Sequence, residues 1–302
     1  MNNTQKHFVS VIIPVYNDSK RLKLCLQALE QQTYSKDLYE IIVVDNASKE
    51  DIKSVVSQFS QAKYTYESEP GSYVARNQGI SIAKGDILAF TDADCIPDSN
   101  WIEKGIINLL NTPNCGLVAG KIDLFFQKPE QPNIFELYDC IEMSFSQEEF
   151  VREDGFGATA NIFAYKHIVE QVGCFDCRLK SGGDRQFGKK IAAAGYKAVY
   201  ADDARIAHPA RHSFSQIRTR IVRFVGGKFD RMMAQNPSSI DIARDILDTF
   251  KPPFTSLYRA WRNKKLTTYH YKIQFISMMF RARYIVTSEK LRLYLGGKSQ
   301  RE

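Results

Sequence analysis

Asp92 and Asp94, in the stretch GDILAFTDADCIPD (85–98), are the residues of this sequence best placed to do chemistry. Just before them, Ile87 to Phe90 is a continuous apolar run. Such a run, bounded by turn residues, reads as a strand buried on both faces inside a parallel sheet. Carried on in extended form, residues two apart point the same way. The two carboxylates would then project together from the strand's C-terminal end, roughly 6–7 Å apart along the chain. That end is where open α/β sheets bind ligands. Two carboxylates so placed repel each other unless something positive lies between them. A hard divalent cation answers this, since Mg²⁺-like ions take one or two carboxylates plus substrate phosphate oxygens. The other reading of the pair is as acidic caps for the helix that begins near Pro97-Asp98.

Three more residues belong beside that pair. Arg76 lies on a helix opened by Pro70-Gly71-Ser72 and is either a cation for phosphates or a solvated helix residue. Asp184 follows Gly182-Gly183, where the backbone can approach something closely, and is either a reactive carboxylate or a helix N-cap. His208, before Pro209, is either a metal ligand or a hydrogen-bonded structural residue. Cys174 and Cys177 match C-x-x-C, but zinc would want a second pair and redox chemistry a thioredoxin-like frame; the spacing is read as coincidence.

The elements that must position these side chains alternate β-α-β-α-β-α-β. Phe8–Val15 and Tyr39–Val44 are buried strands, and a weaker one lies near Tyr64–Tyr66. Leu22, Leu26 and Leu29 mark the first helix; Asp45–Ser48 is read as the cap of a second, running to about Phe59. The alternation implies a parallel sheet with right-handed crossovers. Asn17, Asp45, Asp92 and Asp94 then line one sheet edge. Neither the G-x-G-x-x-G nor the G-x-x-x-x-G-K-[ST] fingerprint is present, so a bound nucleotide's phosphates would be handled by metal and cations. After a helix at 101–110 the rhythm breaks. Residues 115–126 read as one or two strands with Gly116 and Gly120 as bends, and 125–150 as irregular around Pro129 and Pro132, followed by an apolar-acidic helix. After the small, backbone-exposing stretch 155–161 come a strand, a helix at 166–172 and a strand at 196–200, and 204–209 leads out of the body.

The length of 302 residues suits one large α/β domain or two small ones. The net charge of +7 divides unevenly: Pro209–Glu302 holds 19 Lys and Arg against 6 Asp and Glu, whereas residues 1–208 hold 22 against 28. A near-neutral to acidic body with a basic tail has two jobs. The N-terminus lacks signal-peptide character, no run approaches the roughly 18 apolar residues of a membrane span, and the six cysteines are scattered. Reduced thiols and a cytoplasmic location are expected.

Taken together, VSVIIPVYN (9–17), IIVVDNAS (41–48), PGSYVARNQGI (70–80), GDILAFTDADCIPD (85–98), GCFD (173–176) and SGGDRQF (181–187) resemble the inverting family 2 glycosyltransferases of the GT-A fold. The segments stand in family order over about residues 8 to 210. The resemblance implies a GT-A, Rossmann-like, mostly parallel α/β sheet flanked by helices, with a C-terminal basic helical extension. It implies a catalytic domain at 1–210, with a nucleotide-binding half (1–98) and an acceptor half (99–210), followed by a basic amphipathic region at 211–302. Pro14, Tyr16, Asn17 and Asp45 would hold the base, most simply uracil. Arg76, Asp92 and Ala93 would lie against the nucleotide. Asp94, with Asp92 and His208, would hold Mn²⁺ or Mg²⁺. Asp184 would be the general base, and Gly182, Gly183, Arg185 and Arg211 would face the acceptor. The implied reaction moves one sugar per encounter from a nucleotide-diphosphate sugar, UDP-sugar favoured, to a saccharide or lipid-linked acceptor. Many relatives carry Glu-Asp where this chain has Gly183-Asp184, and the Gln-x-x-Arg-Trp motif of processive synthases is absent. The competing function is a non-catalytic subunit of the same fold that binds a nucleotide sugar or glycan. A nucleotidyltransferase would want a basic, glycine-rich first loop, which Pro14–Asn17 is not.

In the tail, Ile217, Ile221, Phe224, Val225, Phe229, Met232 and Met233 recur at helical spacing among basic residues; Trp261, Phe275, Phe280, Tyr284 and Leu291 repeat the pattern. Such helices either lie on an anionic membrane surface, peripherally, or pack on the body or on a second copy of the chain. No nucleic-acid motif accompanies the charge, so no nucleic-acid partner is expected.

Overall fold

The computed structural model describes residues 6–250 and 254–300, the side chains of 250, 254 and 255 excepted. Residues 1–5, 251–253 and 301–302 lie outside the described residues. They include the start of the N-terminal segment and parts of the basic tail. Contacts divide the chain into two compact units. One comprises Met1–Asp123, Phe145–Arg178 and Gly183–His208; the other comprises Leu124–Ser144, Leu179–Gly182 and Pro209–Glu302.

The first unit is built on an eight-stranded sheet of order β3-β2-β1-β4-β7-β6-β8-β5. Strands β1 (Val9–Val15), β2 (Tyr39–Asp45), β3 (Ala62–Tyr66) and β4 (Ile87–Thr91) are mutually parallel. Crossovers run through α1 (Ser19–Glu30), α2 (Ile52–Val56) and α3 (Ser72–Ile82). β2 and β4 are buried along their whole length and β1 at all but Pro14, as their largely apolar runs require. α2 is only five residues long and is capped by Asp51, which accepts from Ser54 N–H. The expected cap at Asp45–Ser48 and the longer helix give way to a structured loop, because Asp45 is used elsewhere.

Beyond β4 the sheet turns antiparallel. β7 (Asn161–Tyr165) pairs with β4, β6 (Cys115–Phe125) with β7, and β5 (Ile96–Pro97) with β8 (Lys197–Pro209). Residues 204–209 therefore extend a strand rather than leading out of the body. β6 is one strand; Gly116 and Gly120 lie inside it, where a Cβ would collide with Tyr196 and Ile191, or with the Ala204 carbonyl and Asn161. The buried Asn161 amide ties this region together. It donates to the Lys121 and Ala204 carbonyls and accepts from the Trp101 indole at the start of α4 (Trp101–Asn111). The unit also holds α6 (Gln147–Asp154), α7 (Lys166–Val172) and α8 (Gly183–Ala193).

The second unit is helical: α5 (Ile134–Glu142), α9 (Phe214–Met233), α10 (Ser239–Phe250), α11 (Phe254–Arg262) and α12 (Tyr269–Tyr294). Ile217, Ile221, Val222, Phe275, Met278 and Met279 bury against one another and against Leu137 and Tyr138 of α5. Beneath them Asp139 is fully buried and accepts from both Arg211 and Arg220. Among the described residues, no helix is long and apolar enough to cross a membrane.

Candidate active site

Strand β4 ends at Thr91, and Asp92-Ala93-Asp94 forms a turn closed by a bond from Cys95 N–H to the Asp92 carbonyl. The two carboxylates are thus carried by a turn rather than by an extended strand, and each meets its own cation. Asp92 Oδ1 lies 2.5 Å from the Arg76 guanidinium. Asp94 lies 3.5 Å from Arg21 on α1 and 3.7 Å from His208 Nε2. The charge between the pair that repulsion demands is supplied in part by the chain itself.

His208 reaches Asp94 through a two-residue ladder between β5 and β8. Ile96 pairs with Ala207 and Pro97 with Ile206, so the residues flanking β5 and the end of β8 are brought side by side. His208 is buried, with its ring 5.1 Å from that of Phe145. The ligand atoms of Asp94, Cys95 and His208 all lie within 4.8 Å of one another. A carboxylate, a thiol and an imidazole at that spacing are a donor set that one divalent cation can satisfy.

Arg76 is not solvated: it is 4% exposed, and its Nε is buried with no hydrogen-bond partner. Its charge acts on both Asp92 and Asp184. Asp184 is the second residue of α8, inside the helix rather than capping it. Its carboxyl is bonded by the Tyr73 hydroxyl and lies 3.3 Å from Thr159 Oγ1. Burial pushes its pKa above the usual carboxylate range, against the opposing pull of Arg76 and of these two hydrogen bonds; the Asp92 charge adds to the rise. Tyr73 Oη also accepts Gly183 N–H at 2.9 Å. Gly183 is obligatory there, since a Cβ would come within 2.6 Å of the Tyr73 ring. Thr159 is held by its loop, whose Ala158 N–H and carbonyl both bond the buried Gln147 amide.

The first two strands end in a cradle. Asp45 is buried, accepts Ser48 N–H at 2.9 Å and accepts the Tyr64 hydroxyl at 3.0 Å. Asn17 N–H donates to Ser48 Oγ, and its side chain accepts Lys49 N–H. Asn17 and Ala47 both adopt left-handed backbone, which for Ala47 is strain stored at the rim. Pro14 pairs with Val44 just below, Tyr16 stands 51% exposed beside them, and Ala93 is buried. Arg185 is engaged by Asp154. Gly182 and Arg211 belong to the second unit, where they meet Arg231 and Asp139 respectively. The residues that charge and motif spacing passed over are Tyr73, Thr159, Arg21 and Cys95. Tyr73 stood inside the motif GSYVARNQG; the other three carried no signal beyond neighbourhood.

Residues 10–174 match the model of glycosyl transferase family 2. Glycosyltransferase AglE of Haloferax volcanii is 40% identical over 209 residues, covering 68% of this chain and 67% of that protein. The dolichyl N-acetyl-alpha-D-glucosaminyl phosphate 3-beta-D-2,3-diacetamido-2,3-dideoxy-beta-D-glucuronosyltransferase of Methanococcus voltae is 26% identical over 63% of each chain. Among solved structures, the mannosyltransferase PcManGT from Pyrobaculum calidifontis, in complex with GDP-Man and Mn²⁺, superposes with a TM-score of 0.63. It does so at 19% identity over 95% of this chain and 88% of its own. Residues 1–349 of TarS from S. aureus, in complex with UDP-GlcNAc, give 0.51 at 17% identity over 73% and 67%. The low-identity structures speak for the fold, and the family match with the 40% relative speaks for descent. The chain belongs to glycosyl transferase family 2, a glycosyltransferase with the GT-A fold.

Proposed function

We propose that this glycosyltransferase moves one sugar, with inversion, from a nucleoside-diphosphate sugar to a hydroxyl of a glycan, glycolipid or glycoprotein acceptor. A lipid-linked saccharide is favoured by the relative from Methanococcus voltae. Uridine is the preferred base, and Mn²⁺ or Mg²⁺ the cation. The observation that carries the reading is the charge chain Asp184–Arg76–Asp92, which links the buried carboxyl of α8 to the turn that presents Asp94.

Asp94 and His208 would hold the cation, which when bound supplies Lewis-acid stabilisation of the leaving diphosphate. Asp184 takes the proton of the acceptor hydroxyl, with Tyr73 and Thr159 fixing the orientation of its carboxyl. Arg76 turns Asp92 toward the ribose and balances the charge beside Asp184. Pro14, Tyr16, Asn17, Asp45 and Ala93 form the seat of the base, and Gly183 and Arg185 of α8 face the acceptor. Residues 1–210 act as the catalytic domain, 1–98 toward the donor and 99–210 toward the acceptor. The basic region 211–302 rests peripherally on anionic membrane from the cytoplasmic side. What supports that last role is the exposure of Trp261, Phe280 and Tyr284 among Arg262, Lys264 and Arg281.

The test is sugar transfer and donor hydrolysis by the wild type and Asp184→Asn with Mn²⁺ present. Transfer is expected to fall by about 10²–10⁴-fold, with nucleotide affinity by calorimetry retained, and chelation of the cation is expected to abolish it. Equal rates in the two proteins would remove Asp184 as the base. Nucleotide binding without turnover of any donor would move the chain to the binding-subunit reading.

A further inference from the structure

We propose that Cys95 is a third protein ligand of the cation, giving a mixed Asp94–Cys95–His208 centre. It would take borderline and soft divalent ions, above all Zn²⁺ and Cd²⁺, over Mg²⁺ and Mn²⁺. The inference rests on the reading of Asp94 and His208 as cation ligands and adds the thiol to them.

Three observations carry it. The Sγ of Cys95 lies 3.9 Å from Asp94 Oδ1, and Asp94 Oδ1 lies 3.7 Å from His208 Nε2. Ligands about 2.0–2.3 Å from one tetrahedral ion stand roughly 3–4 Å apart, so small movements bring all three into one coordination sphere. Cys95 and His208 are buried while Asp94 is 22% exposed on its side chain. The centre is therefore closed on the protein side and open on one side, where phosphate oxygens can complete it. Finally, the neighbouring thiol has a different assignment: Cys25 Sγ donates to the Asp92 carbonyl, whereas Cys95 Sγ is directed at the Asp94 carboxylate.

The consequence is chemical selectivity. Carboxylate and phosphate oxygens suit Mg²⁺ and Mn²⁺ alike, whereas a thiolate favours softer ions. As the metal–sulfur bond forms, the thiol proton leaves to solvent, so the uptake of a soft ion releases a proton that Mg²⁺ uptake does not. Zinc or cadmium held this way would inhibit by outlasting the catalytic ion.

The experiment uses the full chain with the half-buried Cys140, Cys174 and Cys177 replaced by Ser. Co²⁺ is titrated in with a nucleoside diphosphate present, and the near-ultraviolet thiolate-to-cobalt charge-transfer absorption is followed. The band is expected in this background and in Cys25→Ser, and is expected to vanish in both Cys95→Ser and Cys95→Ala. By calorimetry, Cys95→Ser should lower Cd²⁺ affinity by at least the roughly 10–100-fold that loss of a supporting partner costs a metal site, and leave Mg²⁺ affinity unchanged. Co²⁺ binding with no band, or a band that survives Cys95 replacement, overturns the proposal while leaving Asp94 and His208 as ligands. Absence of any Co²⁺ binding overturns the cation reading itself.

Discussion

Replacing Tyr73 with Phe tests the proposed role of Asp184 as general base. The ring stays, packed on Phe175 at 5.7 Å between centroids, so the Gly183 backbone keeps its neighbour. Only the hydroxyl goes, and with it two bonds: the one it accepts from Gly183 N–H and the one it donates to Asp184. The first loss strands a buried N–H at about 1–3 kcal/mol. The second removes a hydrogen bond to a charged acceptor, about 1.5–3 kcal/mol. If the latter is felt fully in the transition state, the rate falls by roughly 10–150-fold at 1.36 kcal/mol per decade. The hydroxyl also holds the Asp184 pKa down, against burial, which holds it up. Its removal must therefore move the acid limb of the pH–rate profile to higher pH, because a base works only when deprotonated. The assay is kcat/KM for transfer across pH at saturating Mn²⁺, with thermal unfolding measured in parallel. A slow Tyr73→Phe enzyme whose acid limb has not moved would reduce Tyr73 to a packing residue. A variant as fast as the wild type would show that Tyr73 does not serve the base.

Three further outcomes follow from the same structure. Asp184→Asn should be more stable than the wild type near neutral pH. The wild-type carboxyl has a raised folded-state pKa, so its contribution is intact below its unfolded value and is lost as pH rises through the folded value; calorimetry from acid to neutral pH should show the two melting temperatures diverge. Gly120→Ala places a methyl 2.2 Å from the Ala204 carbonyl and 2.5 Å from Asn161, and overpacking should cost about 1–3 kcal/mol, read as a fall in Tm of roughly 2–12 °C. Removing three exposed cations together, Arg262→Gln, Lys264→Gln and Arg281→Gln, should weaken sedimentation with anionic vesicles by roughly 100-fold at low salt and leave neutral vesicles unaffected; no difference would count against the membrane role of α11 and α12.

The parallel half of the sheet is legible in the sequence because β1, β2 and β4 are buried on both faces and announce themselves as mostly apolar runs. The other half was read less well. β6 and β8 mix exposed, half-buried and buried positions, and the glycines of β6 look like bends until the neighbours they admit are seen. α2 was overextended because Asp45 has the type of a cap yet is bonded by Tyr64 and Ser48 instead. Charged side chains of the candidate site could be found by type and spacing. Tyr73 and Thr159 could not, since an uncharged hydroxyl matters only through the residue it meets, and both meet Asp184 from far along the chain. The tail's periodicity foretold helices but not their partner: Ile217, Ile221 and Phe275 are spent on α5 and on each other, whereas Phe280 and Tyr284 stay outside.

The two-residue ladder between β5 and β8 has a consequence for synthesis. A ribosome releases Asp94 and Cys95 long before His208, and only the pairing of Ile96 with Ala207 brings them together. The nascent chain can lay down its parallel strands early, yet the residues proposed to hold the cation stay apart until the final strand emerges. The proposed cation would then find its ligands together only late in synthesis, and a chain cut short before β8 lacks the His208 to offer it.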